Sequence, residues 1–303
     1  MDDDNPIRRL ARHTPTPFDG LVEYAAGALN DVGEIVGGLP DDPIEAWDAE
    51  HIRRTLPWLR TFVRTYFRGE VRGLENIPAG EPSLLVGNHS GGLLIADTFV
   101  FSAAFYDHFG PDRRFHQLAH DVAAKSPLLG MFRRYGVVPA SHDNARAAFD
   151  VGAPVLVYPG GEYETFRPSW HGDKIQFGGR QGFIRLALER DVPIVPVVAI
   201  GGQETALFLT SGRRVARLIG LDKLTRIKVL PVSIGPPFGI NLLDFPGRVP
   251  LPAKITIHVL PPIHLRERYG PDPDPDTAYE DVTGEMQEAL SALDEERDLP
   301  VLG

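Results

Sequence analysis

A histidine and an aspartate eight positions apart are the residues best suited to catalysis. His89 directly follows an apolar run typical of a buried strand, and Asp97 lies in the apolar stretch beyond it. A carboxylate beside an imidazole orients the ring and raises its basicity, which suits a general base acting on a hydroxyl group. The alternative is structural: His89 bonds to backbone, and Asp97 is satisfied by Ser102 or Thr98.

The neighbours of His89 are suited to hold a substrate. Asn88 and Ser90 flank it at the predicted carboxyl end of the strand, where open α/β sheets bind their ligands. Gly91 and Gly92 then allow a tight turn or the close approach of a substrate. We therefore predict that these four residues contribute to a binding site around His89.

A second polar segment follows another predicted strand. Pro159, Gly160 and Gly161 are followed by two carboxylates, Glu162 and Glu164. The repeated pattern of strand, glycine pair and polar residues predicts that both segments form one site, in which Glu164 could hold the hydroxyl groups of a polyol. Alternatively, the two glutamates form ion pairs with Arg167 or Arg146.

Short apolar runs that alternate with helical patterns predict an α/β fold, with a mixed, mostly parallel central sheet flanked by helices. An N-terminal helical appendage over 18–36 and a C-terminal amphipathic helix that includes Tyr279, Met286 and Leu293 complete the prediction. Strands are predicted at 83–87, 115–119, 136–139, 154–158, 193–200, 227–232 and 254–259, and helices at 93–106, 128–135, 143–151 and 181–189.

Composition excludes several classes of function. The 303 residues include no cysteine, which excludes disulfides, thiol catalysis and cysteine-ligated metals. The histidines have no metal-binding spacing, and no phosphate-binding or dinucleotide-binding glycine motif occurs. No apolar run reaches the roughly 18–20 residues of a membrane-spanning helix, and the acidic start does not resemble a signal peptide. We expect a cytoplasmic protein that binds neither metal nor nucleic acid.

Charge divides the chain into three parts. Residues 1–50 and 265–303 each carry a net charge of −9, whereas 51–264 carry +8. A basic body indicates an anionic partner, although a solvated surface of mixed charge is an equal alternative. The predicted helix at 58–68 has arginines at every fourth position and a broad aromatic face, so it is predicted to lie on a membrane or, alternatively, to pack on the core. Its candidate docking residues are Trp58, Arg60, Arg64, Phe67 and Arg68.

Four blocks in order resemble the glycerolipid acyltransferase superfamily. They are Asn-His-Ser-Gly-Gly at 88–92 with a following Asp, Gly-Val-Val-Pro at 136–139, Pro-Gly-Gly-x-x-Glu at 159–164, and Arg-Gln-Gly-Phe at 180–183 with Val-Pro-Ile-Val-Pro at 192–196. The resemblance covers about 71–200. It includes the PlsC-like lysophosphatidate acyltransferases and is nearer to the monoacylglycerol and type-two diacylglycerol acyltransferases.

The resemblance implies transfer of an acyl group from acyl-CoA or acyl carrier protein to a glycerolipid hydroxyl, without a cofactor. His89 would be the general base and Asp97 its orienting partner. The 159–161 turn and Glu164 would bind the acceptor, while His142, Arg146 and Arg180 would face its phosphate or headgroup. The alternatives are a thioesterase or lipase that uses the same histidine, and a lipid-binding protein that has lost catalysis.

Two departures from the family pattern matter. The family has four residues between histidine and aspartate, but here seven separate His89 from Asp97, so we predict a loop at 90–92 that lets them meet. His142 replaces the arginine that usually closes the second block, which favours a neutral acceptor or another anchor for a phosphate. A literal four-residue spacing joins His116 to Asp121, but that pair lacks the strand end and the glycine pair.

Three regions are therefore expected. Residues 1–69 form an acidic region with the membrane-docking helix, 70–264 form the catalytic domain, and 265–303 form an acidic C-terminal helix. The expected location is the cytoplasmic face of a membrane, with the protein peripherally bound.

Overall fold

The structure, a computed structural model, describes residues 40–92, 96–119, 131–218, 229–236, 239–242, 249–299 and 301. The predicted helix at 18–36, Asp121 of the alternative pair, and the start of the helix predicted at 93 lie outside these residues. In the described part of the chain, no helix is both long and apolar enough to cross a membrane.

A seven-stranded sheet forms the centre of the molecule. Its strands are β1 (Glu70–Arg72), β2 (Leu84–Gly87), β3 (His116–Ala119), β4 (Val137–Pro139), β5 (Val155–Val157), β6 (Ile194–Ile200) and β10 (Thr256–Val259). They lie side by side in the order β1-β10-β6-β2-β5-β3-β4, and all neighbouring pairs are parallel except β10 with β6. The mixed, mostly parallel sheet predicted from the sequence is thus confirmed.

A second, antiparallel sheet of three strands was not predicted. It consists of β7 (Leu207–Thr210), β8 (Val232–Gly235) and β9 (Gly239–Leu242). The late strand predicted at 227–232 corresponds only in its last residue to β8. The four-residue strands and a register irregularity in β7 give too little alternation for the sequence pattern to indicate them.

Helices lie on both faces of the large sheet, as its fully buried central strands require. They are α1 (Ala49–Tyr66), α2 (Ala96–Phe109), α3 (His142–Asp150), α4 (Glu162–Thr165), α5 (Gly182–Arg190), α6 (Arg213–Leu218), α7 (Leu265–Tyr269) and α8 (Pro275–Glu295). One apolar core contains Leu84, Val86 and residues of α5 and α8. The core on the opposite face contains Leu85 and residues of α1 and α2. Because successive side chains of β2 point to opposite faces of the sheet, this strand contributes residues to both cores.

The C-terminal helix is part of the central fold. Asp274 caps α8 by accepting a hydrogen bond from the Thr277 amide at 3.0 Å, and proline occupies the start of the helix, where it needs no donor. The apolar side chains of α8 are fully buried in the same core as β6: Ala278, Val282, Met286, Leu290 and Leu293. The acidic residues of 265–303 thus accompany a helix whose other face packs on the sheet.

Candidate active site

Three loops that follow parallel strands meet at one edge of the sheet. They follow β2, β5 and β6, and each contains a glycine pair: Gly91–Gly92, Gly160–Gly161 and Gly201–Gly202. The carboxyl ends of parallel strands are where open α/β sheets bind ligands. The two polar segments predicted to form one site are therefore neighbours, and a third loop joins them.

Asn88 fixes the end of β2. Its side-chain amide donates to the carbonyl oxygen of Ala199 at 2.8 Å, and its side-chain oxygen accepts from the Ala199 amide at 2.7 Å. The side chain is buried, so these bonds tie the residue before His89 firmly to β6. This arrangement points to a positioning role for Asn88 rather than to the substrate contact predicted from the sequence.

His89 and Asp97 lie side by side. The imidazole Nδ1 is 3.4 Å from the carboxylate Oδ2, and both side chains are buried. The two atoms are within ion-pair distance, but they are not aligned as a hydrogen bond. Asp97 also accepts hydrogen bonds from the amides of Ser90 at 3.2 Å and Thr98 at 2.8 Å. The carboxylate is thus held by three groups, of which Thr98 was one alternative partner expected from the sequence.

The loop that joins the pair has the conformation that the long spacing requires. Residues 88–92 are in neither helix nor strand, and Gly91 and Gly92 have φ angles of 94° and 79°, in the left-handed region. A β-carbon on Gly91 would lie 2.6 Å from the carbonyl oxygen of Gly202. The loop therefore closes against the β6 loop only because position 91 is glycine.

Tyr158 lies flat against the imidazole. The ring centroids of His89 and Tyr158 are 4.3 Å apart with an interplanar angle of 23°, and the phenol oxygen is 2.8 Å from the Thr98 hydroxyl. Burial, and the nearby Asp97 carboxylate, raise the pKa of Tyr158 well above its ordinary value. A β-carbon on Gly87 would lie 2.6 Å from the tyrosine ring, so glycine at that position makes room for the stack. The phenol stays neutral and restricts rotation of His89.

Glu164 is a buried structural acid. Its Oε2 accepts from the His89 amide at 3.2 Å and its Oε1 from the Gln176 amide at 2.8 Å, while Arg167 lies 3.7 Å away. Burial raises the pKa of Glu164 to about 7, because desolvation outweighs the opposing effect of the Arg167 guanidinium. Both oxygens hold the protein backbone, so the geometry favours a positioning role over direct acceptor binding. The pairing with Arg167 matches the alternative expected from the sequence.

Arg180 braces the turn after β5. Its guanidinium donates to the carbonyl oxygens of Pro159 and Gly160, each at 3.0 Å, and to Glu162 at 2.9 Å. Gly161 is in the left-handed region, and a β-carbon on Gly160 would overlap the Glu164 carboxyl group. These six residues thus form one rigid corner beside His89.

His142 and Arg146 lie on α3, at the surface. Arg146 forms ion pairs with Glu189 at 2.8 Å and Asp143 at 2.9 Å, and His142 is exposed next to Gly182. Arg146 therefore does not pair with Glu162 or Glu164. A phosphate group would have to compete with two carboxylates for its guanidinium.

The predicted docking helix, α1, differs from expectation at one residue. Phe67, immediately after the helix, is 1% exposed and packs in the core with α2, so its assignment to a membrane surface is wrong. Arg60 and Arg64 both pair with Asp107, and Arg68 donates to the carbonyl oxygen of Val301 at 2.6 Å.

The sequence did not predict the ion pairs of Arg60 and Arg64, because their partner Asp107 lies on another helix, α2. Trp58 is half-buried and stacks on Phe62, with centroids 5.4 Å apart.

The alternative histidine, His116, is completely buried on β3. Burial lowers its pKa to about 4, so this imidazole is neutral over the ordinary pH range. Within the described residues, no cluster of three or more potential ligands could hold a metal ion.

Comparison with known proteins identifies the fold and a family match over part of the chain. A family model described as "Acyltransferase" matches residues 68–200, which include both polar loops. The chain superposes on the crystal structure of PlsC, the 1-acyl-sn-glycerophosphate acyltransferase of Thermotoga maritima, with a TM-score of 0.53 and 16% identity over 89% of this chain and 88% of that one. The match to the family model thus covers the part of the chain that carries the candidate site, and the fold is that of PlsC.

Relatives with similar sequences include a bacterial protein and a mammalian enzyme. An uncharacterized protein of Mycobacterium tuberculosis is 32% identical over 77% of this chain, which spans 63% of that relative's length. The "DGAT1/2-independent enzyme synthesizing storage lipids" of Bos taurus is 30% identical over 42% of this chain and 37% of its own length. The chain thus spans less than two thirds of the length of these relatives.

Three residues of the site were not predicted from the sequence: Tyr158, Gly202 and Gln203. The glycine pair at 201–202 repeats the signal that marked the first two loops, so it could have been found. A β-carbon on Gly202 would overlap the Ser90 hydroxyl. Gln203 donates to the carbonyl oxygen of Arg167 at 2.6 Å, and no local pattern predicts that contact.

Proposed function

We propose that the protein transfers an acyl group from a thioester to a glycerolipid hydroxyl, with His89 as the general base. The observation that carries the proposal is the 3.4 Å separation of His89 Nδ1 from Asp97 Oδ2 at the meeting point of three strand-end loops. The acyltransferase family model that matches residues 68–200 supports acyl transfer in general. The acceptor, the donor and the role of His89 are our proposal.

The reaction needs one proton carrier. With Nδ1 facing Asp97, Nε2 takes the proton of the acceptor hydroxyl as its oxygen attacks the thioester carbonyl carbon. The bond between carbon and sulfur then breaks, and the imidazolium returns the proton to the departing thiolate. Asp97 stabilises the imidazolium between these steps, and general base catalysis of this kind contributes roughly 10²–10⁴-fold in rate.

The surrounding residues keep the base in place. Asn88, Tyr158 and Glu164 fix the backbone and the ring of His89, and Arg180 fixes the 159–161 turn next to it. We propose that the acceptor lies between this turn, Ser90 and the glycines of the β2 loop. The donor is acyl-CoA or acyl carrier protein, and no cofactor takes part.

A neutral acceptor fits the arginines best. Arg146, Arg167 and Arg180 each have a carboxylate partner already, at 2.8, 3.7 and 2.9 Å. A phosphate would have to displace one of these partners, whereas a monoacylglycerol or diacylglycerol would not. We propose these neutral glycerides as acceptors ahead of lysophosphatidate, and a peripheral position at the cytoplasmic face of a membrane as the place of reaction.

The test is thioester consumption by the unmodified chain and by His89→Ala, with labelled acyl-CoA and a panel of monoacylglycerol, diacylglycerol and lysophosphatidate. We expect acceptor-dependent release of CoA that falls about 10²–10⁴-fold in the variant. Arg53→Ala, on the exposed surface of α1, is the control for mutation as such.

Three results would contradict the proposal. Equal transfer by His89→Ala removes His89 from the mechanism. CoA release that does not depend on an acceptor identifies a hydrolase. Lipid binding without turnover identifies a non-catalytic lipid-binding protein.

A further inference from the structure

The outer face of the small sheet is apolar and exposed. In the antiparallel register Leu207, Ile234 and Ile240 lie directly opposite one another, and Val232 pairs with Leu242 in the next row. Successive strand residues point to opposite faces, and the alternate residues Phe208, Ser233 and Asn241 are fully buried. The apolar rows therefore lie on the face turned away from the core.

The exposure of this face is unusual for a soluble protein. Ile240 is 72% exposed, Leu242 52% and Leu207 43%. An antiparallel sheet with one face on the core normally carries polar residues on the other. A contiguous apolar face of this kind marks a site that contacts a membrane or another molecule.

Basic and aromatic residues adjoin β7, the first strand of the small sheet. The short helix α6, which follows β7, exposes Arg214 and Arg217 together with Leu218, which is 88% exposed. Trp170, 61% exposed, is next to Ser169, whose hydroxyl accepts from the Phe208 amide of β7 at 2.9 Å. No acidic residue occurs in the described parts of 207–242. Anionic lipid surfaces are bound by apolar side chains that insert into the bilayer, by nearby cationic side chains, and by a tryptophan at the interface. The strand face, the arginines of α6 and Trp170 provide this combination.

We infer that the apolar face of β7, β8 and β9, with α6 and Trp170, docks on an anionic phospholipid bilayer; it is called the sheet surface below. A second copy of the chain fits less well. A two-fold interface would bring the α6 arginines of both copies together, with no carboxylate in the described part of the surface to pair with them. A bilayer supplies phosphates for the arginines and hydrocarbon for the leucines and isoleucines.

The sheet surface is joined to the candidate active site. The Arg213 guanidinium lies 4.3 Å from the Tyr163 ring centroid, and the Arg180 guanidinium lies 4.7 Å from the same ring. Arg180 in turn holds the 159–161 turn. Docking through this surface would place that turn near the lipid, a consequence that rests on the proposed function, whereas docking itself does not.

The competing surface on α1 has less free charge and less exposed apolar area. Arg60 and Arg64 share Asp107, and Phe67 is buried. The sheet surface and α1 can therefore be tested against each other with the same charge change.

The test is co-sedimentation of the full chain with vesicles of phosphatidylcholine, with and without phosphatidylglycerol. Ile240→Ser/Leu242→Ser removes apolar contact, and Arg214→Glu/Arg217→Glu reverses the charge of the α6 arginines. Their matched controls are Leu299→Ser/Val301→Ser, which are similarly exposed elsewhere, and Arg64→Glu/Arg68→Glu, in the last turn of α1 and two residues beyond its end. Each sheet-surface variant should lose about tenfold or more in partitioning to the anionic vesicles, and each control less than threefold. Circular dichroism verifies folding.

Several outcomes would overturn the docking proposal. They are unchanged binding of both sheet-surface variants, loss of binding only in the α1 control, and equal binding to vesicles without phosphatidylglycerol. A change of molecular mass by light scattering in Ile240→Ser/Leu242→Ser, without a change in vesicle binding, would identify a self-association surface instead. Binding needs no thioester, so a chain that binds vesicles but transfers no acyl group supports docking and contradicts the proposed enzyme.

Discussion

At the scale of single residues, the site depends on glycines that leave room for other groups. Gly87 admits the Tyr158 ring, Gly160 the Glu164 carboxyl group and Gly202 the Ser90 hydroxyl. Each lies in or next to a loop after a parallel strand, so the three loops approach more closely than loops with β-carbons could. These glycines thereby let Tyr158, Glu164 and Ser90 pack closely around His89.

Glu164 gives stability a distinctive dependence on pH. Its pKa is raised from 4.5 to about 7 in the folded chain. Between these values the folded state binds more protons than the unfolded state, so the unfolding free energy decreases as pH rises from about 4.5 to about 7. The decrease from this group is at most about 1.4 kcal/mol per pH unit.

Glu164→Gln should remove this slope, because glutamine does not titrate. Urea unfolding at several pH values between 5 and 8 measures it in both proteins. Glutamine can accept only one of the two backbone hydrogen bonds, so the variant should also lose about 1–3 kcal/mol at every pH. Glu288→Gln, on the exposed face of α8, is the control for loss of one carboxylate. A slope identical in Glu164→Gln and the unmodified chain would show that Glu164 does not titrate in this range.

At the scale of elements, α8 contributes to the fold in a way that its acidic composition conceals. Its buried residues recur at intervals of three or four, so one stripe of the helix faces the sheet. The same helix reaches the candidate site through Gln287, whose side chain accepts from the Ile175 amide at 2.9 Å, one residue before Gln176. Packing of α8 thus supports the backbone that holds Glu164.

Leu290→Ala should cost about 2–5 kcal/mol in unfolding free energy, because the leucine is fully buried and its removal leaves a cavity. Urea denaturation followed by circular dichroism measures the loss. Glu288→Ala, two positions away and exposed, should change stability by less than about 0.5 kcal/mol. Similar effects of the two substitutions would mean that α8 does not pack on the sheet as described.

At the scale of the whole molecule, the two cores share the strands of one sheet. Leu84 and Val86 belong to one core and Leu85 to the other, so neither core can form without β2. We therefore expect the described fold to unfold in a single transition.

Far-UV circular dichroism and tryptophan fluorescence should give the same midpoint in urea. Trp47 packs beside the α1 core, whereas Trp170 lies beside the small sheet, so fluorescence follows both regions. Trp170→Phe leaves only signals from the first region and should not move the midpoint. Two separate midpoints would identify the small sheet as an independent unit.

The sequence predicted the parts of the site that are carried by local patterns. The apolar run of β2, its glycine pair and the loop before α2 sufficed to bring His89 near Asp97. Tyr158 escaped prediction because its partners, His89 and Thr98, lie on other elements. The orientation of Arg60 was undecided for the same reason, since its partner Asp107 is 47 positions away on α2.

The small sheet could not be predicted because its strands are short, and because the prolines and glycines between them interrupt the alternation of apolar and polar residues. In the sequence, its outward-facing isoleucines and leucines resemble core residues, and only the register of the strands shows that they face away from the core. The candidate docking surface therefore follows from the register of the strands and not from a local sequence pattern.

The loop at 88–92 has a consequence for the search for related enzymes. Because the glycine pair lets the chain turn freely between the strand and the helix, the imidazole and its carboxylate can meet at a sequence interval longer than the usual one. A scan that counts residues would select the buried His116 in this chain and pass over His89. A scan for a strand end, two glycines and an acidic residue in the first turn of the next helix would select His89. It would also select other chains in which the number of residues between the histidine and the acid differs from the usual one.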